Sequence, residues 1–183
     1  MIAPVRIALI VIALAVILMF NGLVRRRNRA EKGWRQIDVQ LKRRHDLIPQ
    51  LVECVRDSMA YEQETLKKVI DARAKALGAD GRAEIIAAEV TLGAAVGRFL
   101  GVMEAYPDLK AQDNIARLME MLTTAENRIA FSRQYYNDAV INLNTRIDTF
   151  PSNLIARVFS FTKRDYFKAS DEERQVVTVD FEK

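Results

Sequence analysis

The chain carries one histidine, His45, and one cysteine, Cys54. A catalytic thiol wants a histidine close enough to share its proton. Along a helix these two stand about two and a half turns apart, roughly 13 Å, too far to cooperate. One cysteine excludes an intrachain disulfide and a cysteine-built zinc site, and one histidine excludes a histidine cluster. Glu53, Glu62, Glu64, Glu84, Glu89 and Glu104 leave a carboxylate metal centre as the remaining route. In helical bundles that design needs Glu-x-x-His pairs, and none occurs. There is also no glycine-rich phosphate loop and no Ser–His–Asp set. The expectation is a protein that is not an enzyme and that holds no cofactor and no metal. His45 is then a solvent-facing or capping residue beside Arg43, Arg44 and Asp46. Cys54 is a small buried hydrophobe next to Val55, and the glutamates belong to solvated faces.

The residues with a more definite physical role lie at the N-terminus. From Ile7 to Val24 every residue but Asn21 and Gly22 is apolar, and Phe20 lies near the far end. As a helix this run spans roughly 27 Å, close to the hydrocarbon thickness of a bilayer. Arg25, Arg26 and Arg27 follow at once, with Arg29 and Lys32 behind them. A cleaved export signal would be followed by small residues at a processing site; here large cations follow instead. A buried core helix would need a polar face, and this run has none. The reading is a membrane anchor. The cation excess on its C-terminal side places the rest of the chain in the cytoplasm and the short N-terminus outside, at the plasma (inner) membrane.

Net charge is +4, from 28 basic and 24 acidic residues. Its densest cations abut the apolar run, so membrane lipid explains them and no nucleic-acid partner is expected. "QLKRRHD" at 40–46 reads as a solvated helix face.

With only 7 glycines and 4 prolines, the chain has few, long elements. Trp34, Leu41, Ile48 and Val55 recur at the seven-residue spacing of a coiled-coil seam, with Ile37, Leu51 and Val52 filling the stripe. Met59, Leu66, Val69 and Ile70 continue it. Ile115, Leu118, Leu122, Ala125, Ile129, Ser132, Tyr136, Ala139, Leu143 and Ile147 form a second stripe, and Ile86, Val90, Val96, Leu100 and Met103 a third. This is helical periodicity throughout. Gly78–Gly81 and "AYPDLK" at 105–110 mark turns, with Asp108 as an N-cap. Pro151 ends the last long helix near Phe150. Pro49 interrupts the first stripe, either as a kink or with Asp46 capping a new helix; the unbroken stripe favours the kink. A turn near Ser58–Tyr61 decides between three helices and four. The fold class is all-α: an antiparallel up-and-down bundle of long helices behind one transmembrane helix.

After Phe150 apolar side chains crowd together without clean period: Phe150, Leu154, Ile155, Val158, Phe159, Phe161, Tyr166 and Phe167. They either fold back on the end of the bundle or form an exposed patch for a partner or a membrane. The tail "QVVTVDF" alternates weakly enough to add as a strand to a neighbour.

"NRAEKGWRQIDVQLKRRHDLIPQLVECV", "YPDLKA", "ENRIAFSRQYYNDAV", "FPSNLIA" and "DYF" at 165–167 resemble, in order, the LemA family of bacterial membrane proteins. The resemblance implies a single-pass N-terminal anchor and a four-helix bundle, includes relatives associated with magnetosome membranes, and brings no defined activity. Cys54 replaces an expected small residue such as threonine, and the tail lacks a proline often found there. The expected organisation is an anchor with its basic stop at 1–27, a helical bundle at 28–150, and an aromatic segment with an acidic tail at 151–183. Two functions follow. One is a non-enzymatic scaffold that self-associates into homo-oligomers or recruits partners, membrane proteins among them. The other is a sensor that transmits through the first helix with Pro49 as hinge.

Overall fold

The computed structural model describes residues 2–167; the acidic tail and its alternating stretch lie outside them. Among the described residues every regular element is helical. α1 is Ile2–Val55, α2 Gln63–Leu77, α3 Arg82–Met103, α4 Pro107–Lys110, α5 Asp113–Asp148 and α6 Ser152–Val158.

α1 runs through Pro49 as one helix, so no new helix starts at Asp46. It ends where Met59 N–H bonds to Val55 O at 2.9 Å and Glu62 N–H bonds to Met59 O at 2.9 Å. A 3₁₀ turn at Ala60–Glu62 then redirects the chain, which places a turn in the doubtful Ser58–Tyr61 stretch. Fully buried Met59 plugs it. α2 stops at Gly78, and α3 starts after Gly81, whose φ of +77° explains the glycine. Pro107, not Asp108, opens α4: its fixed φ suits the first helical position and its missing N–H is one the helix would leave unbonded anyway. Asp108 lies in the first turn, where its charge complements the helix dipole.

The chain divides into two compact units, and α1 and α5 contribute to both. The first comprises Met1–Val39 and Ile129–Tyr166; the second contains Gln40–Arg128.

In the second unit four helical segments build one core. Leu47, Ile48, Leu51 and Val55 come from α1, Leu66 and Val69 from α2, Leu92, Val96 and Phe99 from α3, and Ile115, Leu122 and Ala125 from α5. Each set follows the 3.6-residue period, so each helix buries one stripe and is stable through its neighbours rather than alone. α2 and α3, joined by the Gly78–Gly81 turn, pack on each other.

In the first unit α1 and α5 approach closely. A Cβ on Gly33 would stand 3.1 Å from the Tyr136 Cα and 3.1 Å from Tyr135 Cδ1. The absent side chain lets Trp34 and Tyr136 meet edge to face, 5.5 Å between ring centres. The non-helical stretch 161–166 satisfies backbone groups through α5. Tyr136 Oη donates to Asp165 O at 2.9 Å, Asn144 Nδ2 donates to Arg164 O at 2.9 Å, and Arg164 N–H donates to Asn144 Oδ1 at 3.0 Å.

Candidate functional site

Two places in the molecule concentrate chemistry. The first is the C-terminal end of the apolar run. Ile7, Leu9, Ile10, Val11, Ile12, Leu14, Ile17 and Leu18 stand exposed on α1, an arrangement that costs free energy in water and none in hydrocarbon. The helix is long and apolar enough to cross a membrane. Phe20, half-buried, meets the ring of Phe159 at 4.7 Å and that of Phe161 at 5.8 Å. Val24 is half-buried, and Arg25 and Arg27 are exposed. Arg27 lies over the Phe161 ring at 5.5 Å, within cation–π range. Arg26 Nη1 donates back to Gly22 O at 3.3 Å.

The aromatic segment is split between the two fates the sequence allows. Phe159 and Phe161 reach Phe20 on α1, while Phe150, Leu154 and Tyr166 are exposed, Ile155 is half-buried and Phe167 is buried. α6 closes with Ser160 at φ +54°. Ser160 N–H bonds to Arg157 O and Phe161 N–H to Ala156 O at 2.9 Å, the paired bonds of a helix C-cap that turns the chain back.

The second place is a buried charge cluster in the core of the second unit. Arg44, on α1, is fully buried. Its guanidinium pairs with the buried carboxylate of Glu89 on α3, donates to Glu89 O at 3.2 Å, and places Nη1 3.0 Å from both oxygens of Glu126 on α5. His45 Nε2 sits 2.8 Å from Glu89 Oε1, at ion-pair distance though off the line of an ideal hydrogen bond. Burial pushes the Glu89 carboxyl up, but contact with His45 and the Arg44 charge outweigh it and hold the group below the ordinary glutamate value. Gly93 leaves room beside this guanidinium: a Cβ there would stand 3.4 Å from Arg44 Nη1.

α2 joins the same cluster through the proline. Pro49 has no N–H, so the carbonyl four residues earlier, His45 O, loses its helical partner. Arg73 Nε of α2 donates to that oxygen at 2.8 Å. Four helical segments are thereby tied at one level of the core.

These positions correct four expectations. His45 is buried against the Glu89 carboxyl rather than solvent-facing. Arg44 leaves the solvated face assigned to "QLKRRHD", and Glu89 leaves the solvated faces assigned to the glutamates. Cys54 is exposed, because it lies one step, about 100° of helix rotation, off the stripe that buries Val55. The apolar helix α3 is also long enough to cross a membrane. Its buried residues, Ile86, Leu92, Val96, Phe99 and Met103 among them, follow the stripe that faces the core, and Glu89 on that stripe is committed to Arg44, so α3 reads as a core helix. Among the described residues no group of three or more metal-ligating side chains occurs.

The LemA family model matches residues 33–181. The chain is 25% identical over 186 residues to magnetosome protein MamQ 2 of Paramagnetospirillum magneticum, covering 87% of this chain and 68% of that protein. Magnetosome protein MamQ of Magnetospirillum gryphiswaldense is 23% identical over 88% of this chain and 69% of its own length. Protein LemA of Metamycoplasma hominis is 25% identical over 84% of this chain and 71% of its own. With a match that spans most of its length and an all-helical fold led by a membrane-length apolar helix, the chain belongs to the LemA family.

Proposed function

We propose that this LemA-family protein is a non-enzymatic scaffold anchored in the plasma (inner) membrane, with its helical body in the cytoplasm, that self-associates or recruits partners. The observation that carries this reading is α1. Its exposed apolar run continues without a break into residues that form the body's core, from Trp34 to Val55. The cations from Arg25 to Lys32 support a cytoplasmic body, and relatives named as magnetosome proteins fit a role at a membrane-bounded structure. Large apolar side chains on the body's surface, Phe131 at 73% and Tyr61 at 99% exposure, supply contact points. The sensor reading, with Pro49 as hinge, is weaker. A hinge gains mobility from a missing hydrogen bond, and Arg73 fills the gap Pro49 leaves.

In-cell crosslinking of the tagged full-length chain, read by mass spectrometry, tests the scaffold. The expected result is crosslinks between copies that map to the helical body. A strictly monomeric protein at every concentration in mass photometry refutes self-association, and the absence of any crosslinked partner as well removes the scaffold.

A further inference from the structure

The contact of Phe20 with Phe159 and Phe161 fixes the depth of a second segment. Phe20 lies four residues before the end of the apolar run, about 6 Å along the helix axis. Whatever packs on its ring is therefore at the boundary between hydrocarbon and headgroups, given the anchor reading on which this inference rests. α6 is carried there by Phe159 and Phe161. It does not hide its apolar side chains. Leu154 and Val158, four residues apart on α6, are 52% and 75% exposed, and Phe150 and Phe159, which flank the helix, are 74% and 50% exposed. Four exposed apolar side chains in so short a segment are costly in water, but they suit a layer about 5–10 Å deep in a lipid interface.

The charges agree in sign. Arg157 on α6 is exposed, and so is Arg27 on α1, the cation that lies over the Phe161 ring. The carboxylate that ends α5, Asp148, is neutralised by Lys163 at 2.8 Å, and Glu31 stands 3.9 Å from Arg164. Two exposed cations beside an apolar patch match the anionic phosphates above acyl chains.

We propose that Phe150–Phe161 is a second membrane contact, an interfacial foot that lies in the same leaflet as the Arg25 end of the anchor and prefers anionic phospholipid. The apolar residues at 150, 154, 158 and 159 enter the acyl boundary, and Arg157 with Arg27 binds phosphate.

The test uses the full-length chain with Cys54→Ser, reconstituted in nanodiscs containing phosphatidylglycerol. A polarity-sensitive fluorophore is placed at Val158→Cys or, as a control on the anchor, at Ile12→Cys. Lipids carry quenchers either near the headgroup or deep in the acyl chain, and iodide is the aqueous quencher. The expected result is that the 158 probe is quenched best by the shallow lipid label and the 12 probe best by the deep one. Arg157→Gln should lower the docked-to-undocked ratio about fivefold, the equivalent of ~1 kcal/mol per cation at an anionic surface. A 158 probe reached by iodide alone, with the 12 probe still quenched deeply, overturns the foot and leaves the anchor standing. A 158 probe shielded from every quencher assigns the patch to another protein surface and also overturns it. Loss of deep quenching at 12 overturns the anchor and the foot together.

Discussion

Replacing Arg44 by methionine isolates the energetics of the buried cluster. Arg44 is fully buried and Glu89 is 1% exposed, so the variant keeps the apolar volume and strips the principal cation from a carboxylate with almost no access to water. Breaking a buried pair by removing one partner costs about 3–5 kcal/mol, because the remaining charge is uncompensated. Glu126 adds little, since it is partly exposed and can rehydrate. Against a typical total stability of about 5–15 kcal/mol this is a large share. For a chain of this size it corresponds to a Tm lower by roughly 6–20 °C, at roughly 2–4 °C per kcal/mol.

The pH dependence has a definite sign. The Glu89 carboxyl is lowered in the folded protein, so it contributes stability above the unfolded glutamate value of about 4.3 and loses it as pH falls through the lowered folded value. In Arg44→Met, burial is opposed by His45 alone, and protonation of Glu89 relieves the defect in acid. The gap between the two proteins should therefore narrow as pH falls from 7, because the variant recovers, and narrow further below about 4.3, where the parent begins to weaken. Thermal melts of the full-length chain in detergent, followed by far-UV circular dichroism, measure both. A further Glu89→Met in the Arg44→Met background should restore part of the loss, because the orphaned carboxylate is gone. A loss below about 1 kcal/mol at pH 7, the range of a surface pair, or a gap that does not change with pH, would refute the reasoning.

Arg73→Met should cost about 1.5–3 kcal/mol, the value of a hydrogen bond from a charged group. The cost should shrink in a Pro49→Ala background, where residue 49 supplies the N–H that His45 O lacks; additive losses in chemical denaturation would argue against that link. Gly33→Ala should destabilise by about 1–3 kcal/mol through overpacking against the Tyr136 backbone, seen as a lower Tm, and an unchanged Tm would show that α1 and α5 can separate there at little cost. Cys54 is a native reporter of topology because it is exposed. A membrane-impermeant maleimide should leave it unlabelled in intact spheroplasts and label it after lysis, and labelling before lysis would invert the orientation.

The long helices were legible because apolar residues return with the helical period and glycine or proline stands at the breaks. Gly78–Gly81 and Pro151 interrupt helices as their backbone chemistry requires, and the Ile115–Ile147 stripe lies within α5. The charge cluster was written in the same pattern but reads only in hindsight. Arg44 falls three residues after Leu41 and four before Ile48, and Glu89 three after Ile86 and three before Leu92. Each thus occupies a core position on its own stripe. A charge is ordinarily assigned to water because burial costs so much. That assignment reverses only when the opposite charge, 45 residues away, is brought into contact, and no local pattern announces that meeting. Cys54 failed for the opposite reason: residue type outweighed its register in the expectation. The aromatic segment lacks clean periodicity, so its division between Phe159 and Phe161, which reach Phe20 on α1, and Phe150, which is exposed, depended on where the chain turns at Ser160.

A proline within a helix is usually regarded as damage to be tolerated. Here the valence it frees is exported sideways to a neighbouring rod. The oxygen of His45 accepts from only one height on α2, so the vacancy works like a keyway, giving the guanidinium of Arg73 one place to seat. Oily surfaces alone permit helices to slip past each other by a turn at modest cost; a single polar socket among them makes one alignment distinct from the rest.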